Sequence, residues 1–295
     1  MSKILVTGAS GQLGQAVIRH LLETYGVKAS DIVAASRDTS KLSALKAKGV
    51  ETRTADFDDA ASLDAAFAGI DAALLISTDA LAVPGQRLTQ HKAAVAAATK
   101  AGIKHLAYTS MQNPDTSLVT FAPDHQGTEE AIKASGLPYT ILRNAWYHDN
   151  YLHGMPHNVE AGQWFTAMAD GKVPNISRDD CARAAAAVLA KGKGENKTYD
   201  IAGSQSLSAD QIAAIVSKVT GKPLAVIKVS PADLQKGIEG AGLPPFVAKM
   251  LASADANIAA GNFEIVTNDY ETLTGQKPQT IEAFFEAHKA ALLSA

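Results

Sequence analysis

Thr7-Gly8-Ala9-Ser10-Gly11-Gln12-Leu13-Gly14 is the stretch that decides the fold of this chain. It joins an apolar run to a pattern with helical periodicity, so it predicts a strand, a tight turn and a helix. Gly8 permits the turn, Gly11 lets a pyrophosphate approach the backbone, and Gly14 lets the helix lie close to the strand. The unpaired N–H groups of the helix N-terminus favour phosphates. These features predict a dinucleotide-binding turn, and the alternative is a glycine-rich turn without a ligand.

The first two thirds of the chain alternate short apolar runs with helical patterns. This alternation is typical of βαβ units and of a parallel sheet whose strands are covered on both faces. The predicted strands are Lys3–Thr7, Ile32–Ser36, Val50–Ala55, Ala72–Ser77, His105–Thr109 and Tyr139–Leu142. The predicted helices are Gln12–Thr24, Ser40–Lys48, Ser62–Phe67 and Thr89–Ala101.

The C-terminal part of the chain has a different character. Residues 145–175 are rich in aromatic residues, His, Gly and Pro without clear periodicity, which predicts a loop-rich segment. Ser177 and Asp180 are spaced as in a capping box, and an Ala-rich helix to Ala190 follows them. We therefore predict an α/β fold: a Rossmann-type doubly wound parallel sheet with a smaller, mostly helical C-terminal substrate lobe. The first domain comprises residues 1–150 with a sheet-completing segment, 171–204, and the lobe comprises 151–170 and 205–295.

The composition excludes several function classes. Of 295 residues, 46% are hydrophobic and 19% are charged, and the formal net charge is −3 without a basic run. We therefore expect no binding to nucleic acid or to an anionic membrane. Cys181 is the single cysteine, which excludes an intrachain disulfide and fits a reducing compartment. No apolar run is long enough for a membrane span, and the apolar residues before Thr7 are too few for a signal peptide, so we expect a cytoplasmic protein.

The end of the second predicted strand indicates which dinucleotide binds. NAD-selective sites have a carboxylate there, which holds the ribose 2′-hydroxyl. Here Arg37 follows the strand, with Lys41 one helical turn further on, and a guanidinium binds a 2′-phosphate through charge-assisted hydrogen bonds. The sequence therefore favours NADP. The alternative is that Arg37 is a solvated cation and that Asp38 binds the hydroxyl.

Two further strands end in residues that suit a cofactor. Asp56-Phe57 follows the third strand, where the carboxylate could accept from an adenine amino group beside an apolar ring. Ile76-Ser77-Thr78 ends the fourth strand. Ligands of such sheets lie at the carboxyl ends of the strands, so these residues are predicted to contact the cofactor.

The motifs TGASGQLG, SRDTSK, ADFDD, LLIST, GQRLTQH, LAYTSM and PYTILRNAWYHDNYL occur in this order. With them the chain resembles the NmrA-like branch of the atypical short-chain dehydrogenase/reductases over nearly its whole length. The resemblance implies an NADPH-dependent reductase of quinone-like acceptors. It also implies that Gln86 contacts the cofactor, although the loop Asp79–Pro84 before it is slightly longer than in the family.

The residues for acid catalysis are ambiguous. Ordinary short-chain dehydrogenases use Tyr-x-x-x-Lys, but none of the seven tyrosines here has a Lys four residues later. His125 and Glu129 have the right spacing, one turn apart on a helix. His125 could donate the proton, with Glu129 orienting it, because imidazole titrates near neutral pH. The alternative, slightly favoured, is that His125 lies on the helix surface or only shapes the pocket.

The missing Tyr/Lys pair favours an activated acceptor. Hydride transfer to a quinone gives an aromatic hydroquinone anion, which can take its proton later from water, whereas an ordinary ketone gives a strongly basic alkoxide.

Asn144, Trp146 and Tyr147 follow the sixth strand. We expect Asn144 to hold the carboxamide or ribose of the cofactor, and Trp146 and Tyr147 to contact a flat acceptor, Tyr147 also in a catalytic role. The alternative is that the two aromatic side chains only pack the lobes together.

Several alternatives stay open at this point. Some NmrA-like proteins bind NADP without turnover, so a redox sensor or regulator is the competing function. His148, His153 and His157 with Asp149 lack the compact spacing of zinc sites, and no metal is predicted. The Ala-rich helices make a homodimer plausible.

Overall fold

The structure is a computed structural model that describes residues 3–192 and 194–294. Its strands are β1 (Ile4–Val6), β2 (Ile32–Ser36), β3 (Glu51–Thr54), β4 (Ala72–Leu75), β5 (His105–Met111), β6 (Tyr139–Asn144), β7 (Gln163–Thr166), β8 (Lys172–Val173), β9 (Lys197–Ile201), β10 (Leu207–Ser208) and β11 (Ala225–Lys228). Its α-helices are α1 (Gln12–Arg19), α2 (Ser43–Ala47), α3 (Ala60–Phe67), α4 (Gln86–Ala101), α5 (Ala122–Ala134), α6 (Met155–Ala161), α7 (Arg178–Lys191), α8 (Ala209–Thr220), α9 (Pro231–Gly240), α10 (Pro245–Ala259), α11 (Asp269–Thr274), α12 (Ile281–Ala287) and α13 (Lys289–Leu292).

Seven strands form one sheet in the order β3-β2-β1-β4-β5-β6-β9. β1 lies between β2 and β4 and is parallel to both, with Leu5 opposite Val33 on one side and Ala73 on the other. The chain thus winds outward from β1 in one direction and then, from β4 onward, in the other. This reversal opens a crevice at the carboxyl ends of β1 and β4. The predicted doubly wound α/β fold is confirmed.

The core of the sheet comes from the predicted apolar runs. β1, β2, β4 and β5 are buried along their whole lengths, because helices cover both faces of a parallel sheet. Leu5, Phe67 and Tyr108 are among the fully buried side chains of this core. β3 differs from the prediction, since it is an edge strand whose residues are half-buried or exposed.

The glycine turn lets α1 approach β1. Gly8 has a φ of +61°, a conformation that side chains with a Cβ rarely adopt. A Cβ on Gly14 would overlap the Gly8 carbonyl oxygen and would lie 2.8 Å from Ala9 Cα. Gly14 therefore has no room for a side chain, because the first turn of α1 packs directly on the turn after β1. The helical turn continues from α1 into a π-helical segment, His20–Thr24, as far as the prediction placed it.

The chain divides into two compact units. The first comprises Met1–Met111, Asp124–Arg143 and Cys181–Tyr199, and the second comprises Gln112–Pro123, Asn144–Asp180 and Asp200–Ala295. The predicted boundaries differ from this division, because residues 112–123 and 144–150 belong to the second unit rather than to the first. The same holds for residues 171–180 and 200–204 of the segment that was expected to complete the sheet.

The prediction of a loop-rich segment over residues 145–175 is wrong. The segment contains a 3₁₀ helix (His148–His153), α6, β7 and β8. β7 pairs with β11 and β8 with β10, so these short strands form through partners about 35 to 60 residues further along the chain. Such elements carry little local signal, since a strand of two to four residues is too short to show a periodicity.

We expect Gly14→Ala to destabilise the protein by about 1–3 kcal/mol, because the added methyl group overpacks the contact between α1 and the turn residues Gly8 and Ala9. Gly237→Ala is the matched control, since Gly237 lies in α9 with open space around its Cα. There alanine should stabilise the helix by about 0.5–1 kcal/mol. Urea denaturation followed by circular dichroism measures both free energies of unfolding, and equal stabilities would contradict the proposed contact.

Candidate functional site

A cleft of about 260 Å³ lies in the first unit at the carboxyl ends of its strands. It contains the glycine turn after β1 and the segments that follow β2, β3 and β4. The lining residues are Gly8, Ser10, Gly11, Ser36, Arg37, Ala55, Asp56, Phe57, Ile76, Ser77, Thr78, Asp79 and Gln90. The cleft is thus at the reversal of the strand order, where dinucleotides bind in this class of sheet.

The glycine turn presents backbone to the cleft. Gly11 is the N-cap residue of α1 and has no side chain with which to cap the helix. Ala9 N donates to Ala35 O at 2.9 Å, and the Ser10 and Ser36 hydroxyls are 2.8 Å apart, so the turn is tied to β2. A Cβ at position 11 would lie 3.3 Å from the Gly8 carbonyl oxygen, which is a tight contact. Glycine at this position avoids that contact within the turn. This arrangement suits a pyrophosphate at the helix N-terminus.

Arg37 lies on the wall of this cleft, and the neighbouring carboxylate does not. Asp38 Oδ1 accepts from the backbone N of Ser40 at 3.0 Å and from its hydroxyl at 2.6 Å, so Asp38 caps the turn Thr39–Leu42. These hydrogen bonds hold the pKa of Asp38 below its ordinary value. Arg37 is 3.6 Å from Asp79 across an exposed ion pair, which is weak enough for an anionic ligand to replace.

Asp56 and Phe57 form another part of the lining. Phe57 is buried and contributes an apolar wall, while Asp56 Oδ1 accepts from the backbone N of Asp58 at 3.0 Å. Gln90 was not predicted. Its amide nitrogen donates to Asp58 at 2.8 Å and its oxygen accepts from the Thr78 hydroxyl at 2.8 Å, so it joins the turns after β3 and β4.

The segment Ile76–Thr78 is held by side chains rather than by a neighbouring strand. Ile76 N donates to Thr7 Oγ1, Ser77 N to Thr109 Oγ1, and Thr78 N to His91 Nε2, each at 3.0 Å. Arg87 Nε donates to Thr78 O at 2.7 Å. Three successive amides and one carbonyl are thereby satisfied, and the segment is fixed along the cleft.

The donors around the two buried histidines assign their protonation. His91 Nε2 accepts from a backbone N–H, and its Nδ1 lies 2.9 Å from Thr128 Oγ1, which itself donates to Asp124 O. His125 Nε2 lies 3.1 Å from Arg87 Nη2, and its Nδ1 lies 2.8 Å from the Tyr108 hydroxyl. A backbone amide and a guanidinium can only donate, so both rings are neutral and carry their proton on Nδ1.

Burial and charge agree with this assignment. Burial and then the Arg87 guanidinium lower the pKa of His91 to about 3. The same causes, in the same order, hold the pKa of His125 well below its ordinary value. His125 is 4% exposed, so it is not a surface histidine. Burial raises the pKa of the neighbouring Tyr108.

The expectation that Glu129 orients His125 is wrong. Glu129 accepts from Arg143 Nε and Nη2 at 2.8 and 2.7 Å and from the Ser110 hydroxyl at 2.7 Å. Its carboxylate therefore joins α5 to β5 and β6 in a buried ion pair. The four-residue spacing placed both side chains on one helix face, but each points to a different set of partners.

Asn144, Trp146 and Tyr147 belong to the second unit. Asn144 Nδ2 donates to the Tyr147 hydroxyl at 3.0 Å, and the Arg178 guanidinium lies 5.3 Å from the Tyr147 ring centre. Trp146 packs against Phe263 with ring centres 6.0 Å apart. Asn144 Oδ1 is buried and has no hydrogen-bond partner within the described part of the chain.

The remaining predicted cofactor residues lie outside the cleft lining. Gln12 and Leu13 are in the first turn of α1, Lys41 is exposed in the turn after β2, and Gln86 is the half-buried first residue of α4. The lining adds Ser36, Ala55, Asp79 and Gln90, which the sequence interpretation missed. Ser36 and Ala55 could have been found, since they lie at the ends of predicted strands.

Within residues 3–192 and 194–294, no helix is long and apolar enough to cross a membrane. The same part of the chain contains no group of three or more His, Cys, Asp or Glu side chains that could hold a metal ion.

Comparison with known proteins identifies the family of this chain. A model of the NmrA-like family matches residues 1–285. Quinone oxidoreductase 2 of Escherichia coli is 39% identical over 278 residues, which are 94% of this chain and 96% of that protein. The chain belongs to the NmrA-like family. The resemblance inferred from the motifs is thus confirmed.

Two solved structures resemble this NmrA-like protein over almost its whole length. One is an NADPH-dependent quinone oxidoreductase of Escherichia coli in complex with NADPH, with a TM-score of 0.91, 38% identity, and coverage of 97% of this chain and 99% of that chain. The other is the triphenylmethane reductase of Citrobacter sp. in complex with NADP(H), with a TM-score of 0.91, 36% identity, and coverage of 97% and 100%.

Proposed function

We propose that this protein is an NADPH-dependent oxidoreductase that reduces quinones or similarly activated small-molecule acceptors. The observation that carries the proposal is the cleft at the reversal of the strand order, where Arg37 lies beside the glycine turn while Asp38 is engaged in its own turn. A guanidinium at this position favours a 2′-phosphate over a 2′-hydroxyl. The relatives support the acceptor class, since one is a quinone oxidoreductase and another a triphenylmethane reductase.

The residues of the cleft fit NADPH. The glycine turn and the N-terminus of α1 would hold the pyrophosphate, and Arg37 the 2′-phosphate. Asp56 and Phe57 would bind the adenine, and Ile76–Thr78 would lie along the cofactor. Gln12, Leu13, Lys41 and Gln86 do not line the cleft, and their contacts with the cofactor stay predictions.

When bound, NADPH supplies a hydride, and a quinone that takes up this hydride and one proton from water becomes a hydroquinone. The protein contributes position rather than an acid. His125 is neutral and buried, its Nε2 faces Arg87 and its Nδ1 faces Tyr108. A ring held in this way does not offer a proton to an acceptor. This favours acceptors whose reduced form is a stable anion.

The acceptor contacts remain proposals. That Asn144 holds the carboxamide or ribose of the cofactor stays a prediction. Trp146 and Tyr147 are half-buried aromatic side chains that could contact a flat acceptor, and a catalytic role of Tyr147 stays a prediction. The cytoplasmic location, the homodimer and the absence of nucleic-acid partners stay predictions as well.

The function is tested by mixing the protein with NADPH and a benzoquinone or naphthoquinone. We expect the NADPH absorbance to fall in a protein-dependent manner, with one hydroquinone formed per NADPH oxidised. Binding of NADPH, measured by its fluorescence, without any turnover over a panel of quinones would instead indicate a redox sensor. A protein that does not bind NADPH would contradict both functions.

We expect Arg37→Ala to raise the Michaelis constant for NADPH about ten- to a hundredfold, the cost of losing hydrogen bonds to a charged group. NADH lacks the phosphate, so its Michaelis constant should change little. Steady-state kinetics with both cofactors measure the difference. Equal losses with NADH and NADPH would show that Arg37 does not bind the 2′-phosphate.

We expect His125→Ala to lower the turnover of a reactive quinone less than tenfold, because a positioned general acid typically contributes a hundredfold or more. The pH profile of the wild type provides a second measurement. An acid with an ordinary histidine pKa would make the rate fall as the pH rises through 6 to 7. His125 is already deprotonated there, because its pKa is lowered, so it should add no such step. A hundredfold loss together with that step would identify His125 as the proton donor.

A further inference from the structure

We propose that His91 is a positioning residue for the cofactor: its Nε2 accepts the Thr78 amide proton and thereby fixes the cleft wall Ile76–Thr78 in the conformation that binds NADPH. The inference rests on the proposed cofactor. His91 is the last residue of the GQRLTQH motif, but no role is predicted for it from the sequence; it lies in the second turn of α4.

The geometry around Thr78 supports this role. The Thr78 amide donates to His91 Nε2 at 3.0 Å, its hydroxyl donates to Gln90 at 2.8 Å, and its carbonyl accepts from Arg87 Nε at 2.7 Å. Three side chains from the first two turns of α4 thus hold all the polar groups of one residue. Such a cluster restricts the conformation of Thr78.

The position of Thr78 makes these hydrogen bonds relevant to cofactor binding. Thr78 is half-buried and lines the cleft, whereas His91 is fully buried behind it. Ile76 is bonded to Thr7, which directly follows β1, and Ser77 to Thr109 of β5, but Thr78 is the last residue before the loop Asp79–Pro84. The hydrogen bond to His91 therefore restrains the last residue of the cleft wall, whose backbone would otherwise move with the loop.

The second nitrogen of His91 sets up a discriminating experiment. Its Nδ1 donates to Thr128 Oγ1 at 2.9 Å. This hydrogen bond links α4 to α5 and does not involve a residue of the cleft wall. Asparagine can replace Nδ1 but is too short to reach Thr78, whereas glutamine can place an amide oxygen near the position of Nε2. His91→Asn and His91→Gln are thus a matched pair, since each removes the buried ring and each retains a different half of its hydrogen bonding.

We expect His91→Asn to raise the dissociation constant for NADPH about fivefold or more, in keeping with the loss of one hydrogen bond. His91→Gln should stay within about twofold of the wild type by the same scale. The dissociation constants are measured by NADPH fluorescence, without an acceptor, and thermal unfolding reports the stability of each variant. His105→Asn is the control, because His105 is also buried and bonded to a threonine, Thr140, but lies at the opposite ends of the strands.

The control variant should lose stability without a change in the NADPH dissociation constant. Equal affinities of the two His91 variants, or losses of affinity that follow the loss of stability in all three variants, would overturn the proposal. If the wild type itself does not bind NADPH, the proposed function fails instead, and the two failures are thereby distinguished.

Hydrogen exchange of the Thr78 amide tests the contact directly. In the protein without cofactor, we expect this amide to exchange slowly in the wild type and in His91→Gln, and quickly in His91→Asn. Exchange in the wild type as fast as that of the exposed Asp79 amide would overturn the proposal, even if His91→Asn does not fold.

Discussion

Three consecutive backbone amides follow β4 at the point where the strand order reverses, and each needs an acceptor that no adjacent strand provides. A buried amide without an acceptor costs about 1–3 kcal/mol. Thr7, Thr109 and His91 supply the acceptors, from the end of β1, from β5 and from α4. The cleft therefore depends on side chains of three elements that surround it. The reversal of strand order creates the crevice, and these hydrogen bonds give it a defined wall.

The same requirement determines the protonation of the residues behind the wall. Arg87 donates to the Thr78 carbonyl and to His125, and its charge lowers the pKa of His91 and His125 in addition to the effect of burial. Neutral imidazoles can accept from a backbone amide and from a guanidinium, which an imidazolium could not do. The buried cation thus keeps both rings in the form that supports the cleft. To accept from Arg87, His125 must be neutral, whereas a general acid must carry a proton that it can donate to the acceptor.

Local patterns predicted the sheet and the glycine turn because the signals are local. The first strands are continuous apolar runs, and the glycines of the turn are required by backbone geometry within eight residues. The cleft residues at strand ends, such as Arg37 and Asp56, followed from topology. Gln90 and His91 could not be found in this way, because their roles arise from hydrogen bonds between α4 and the turns that follow β3 and β4. The short strands β7 and β8 were missed for a similar reason, since their partners are distant in the sequence.

His125 and Glu129 have the spacing of the Tyr and Lys of ordinary short-chain dehydrogenases, but both side chains are engaged with buried partners here. Glu129 forms a buried ion pair with Arg143 and accepts from Ser110, while His125 lies between Arg87 and Tyr108. An ordinary ketone needs a proton as the alkoxide forms, and a neutral imidazole bonded to Arg87 and Tyr108 is a poor source of one. A quinone does not need a proton at this stage, because its reduced anion is aromatic and stable enough to be protonated later by water. The buried partners of His125 thus support the proposal that the protein reduces quinones or similarly activated acceptors rather than ordinary ketones.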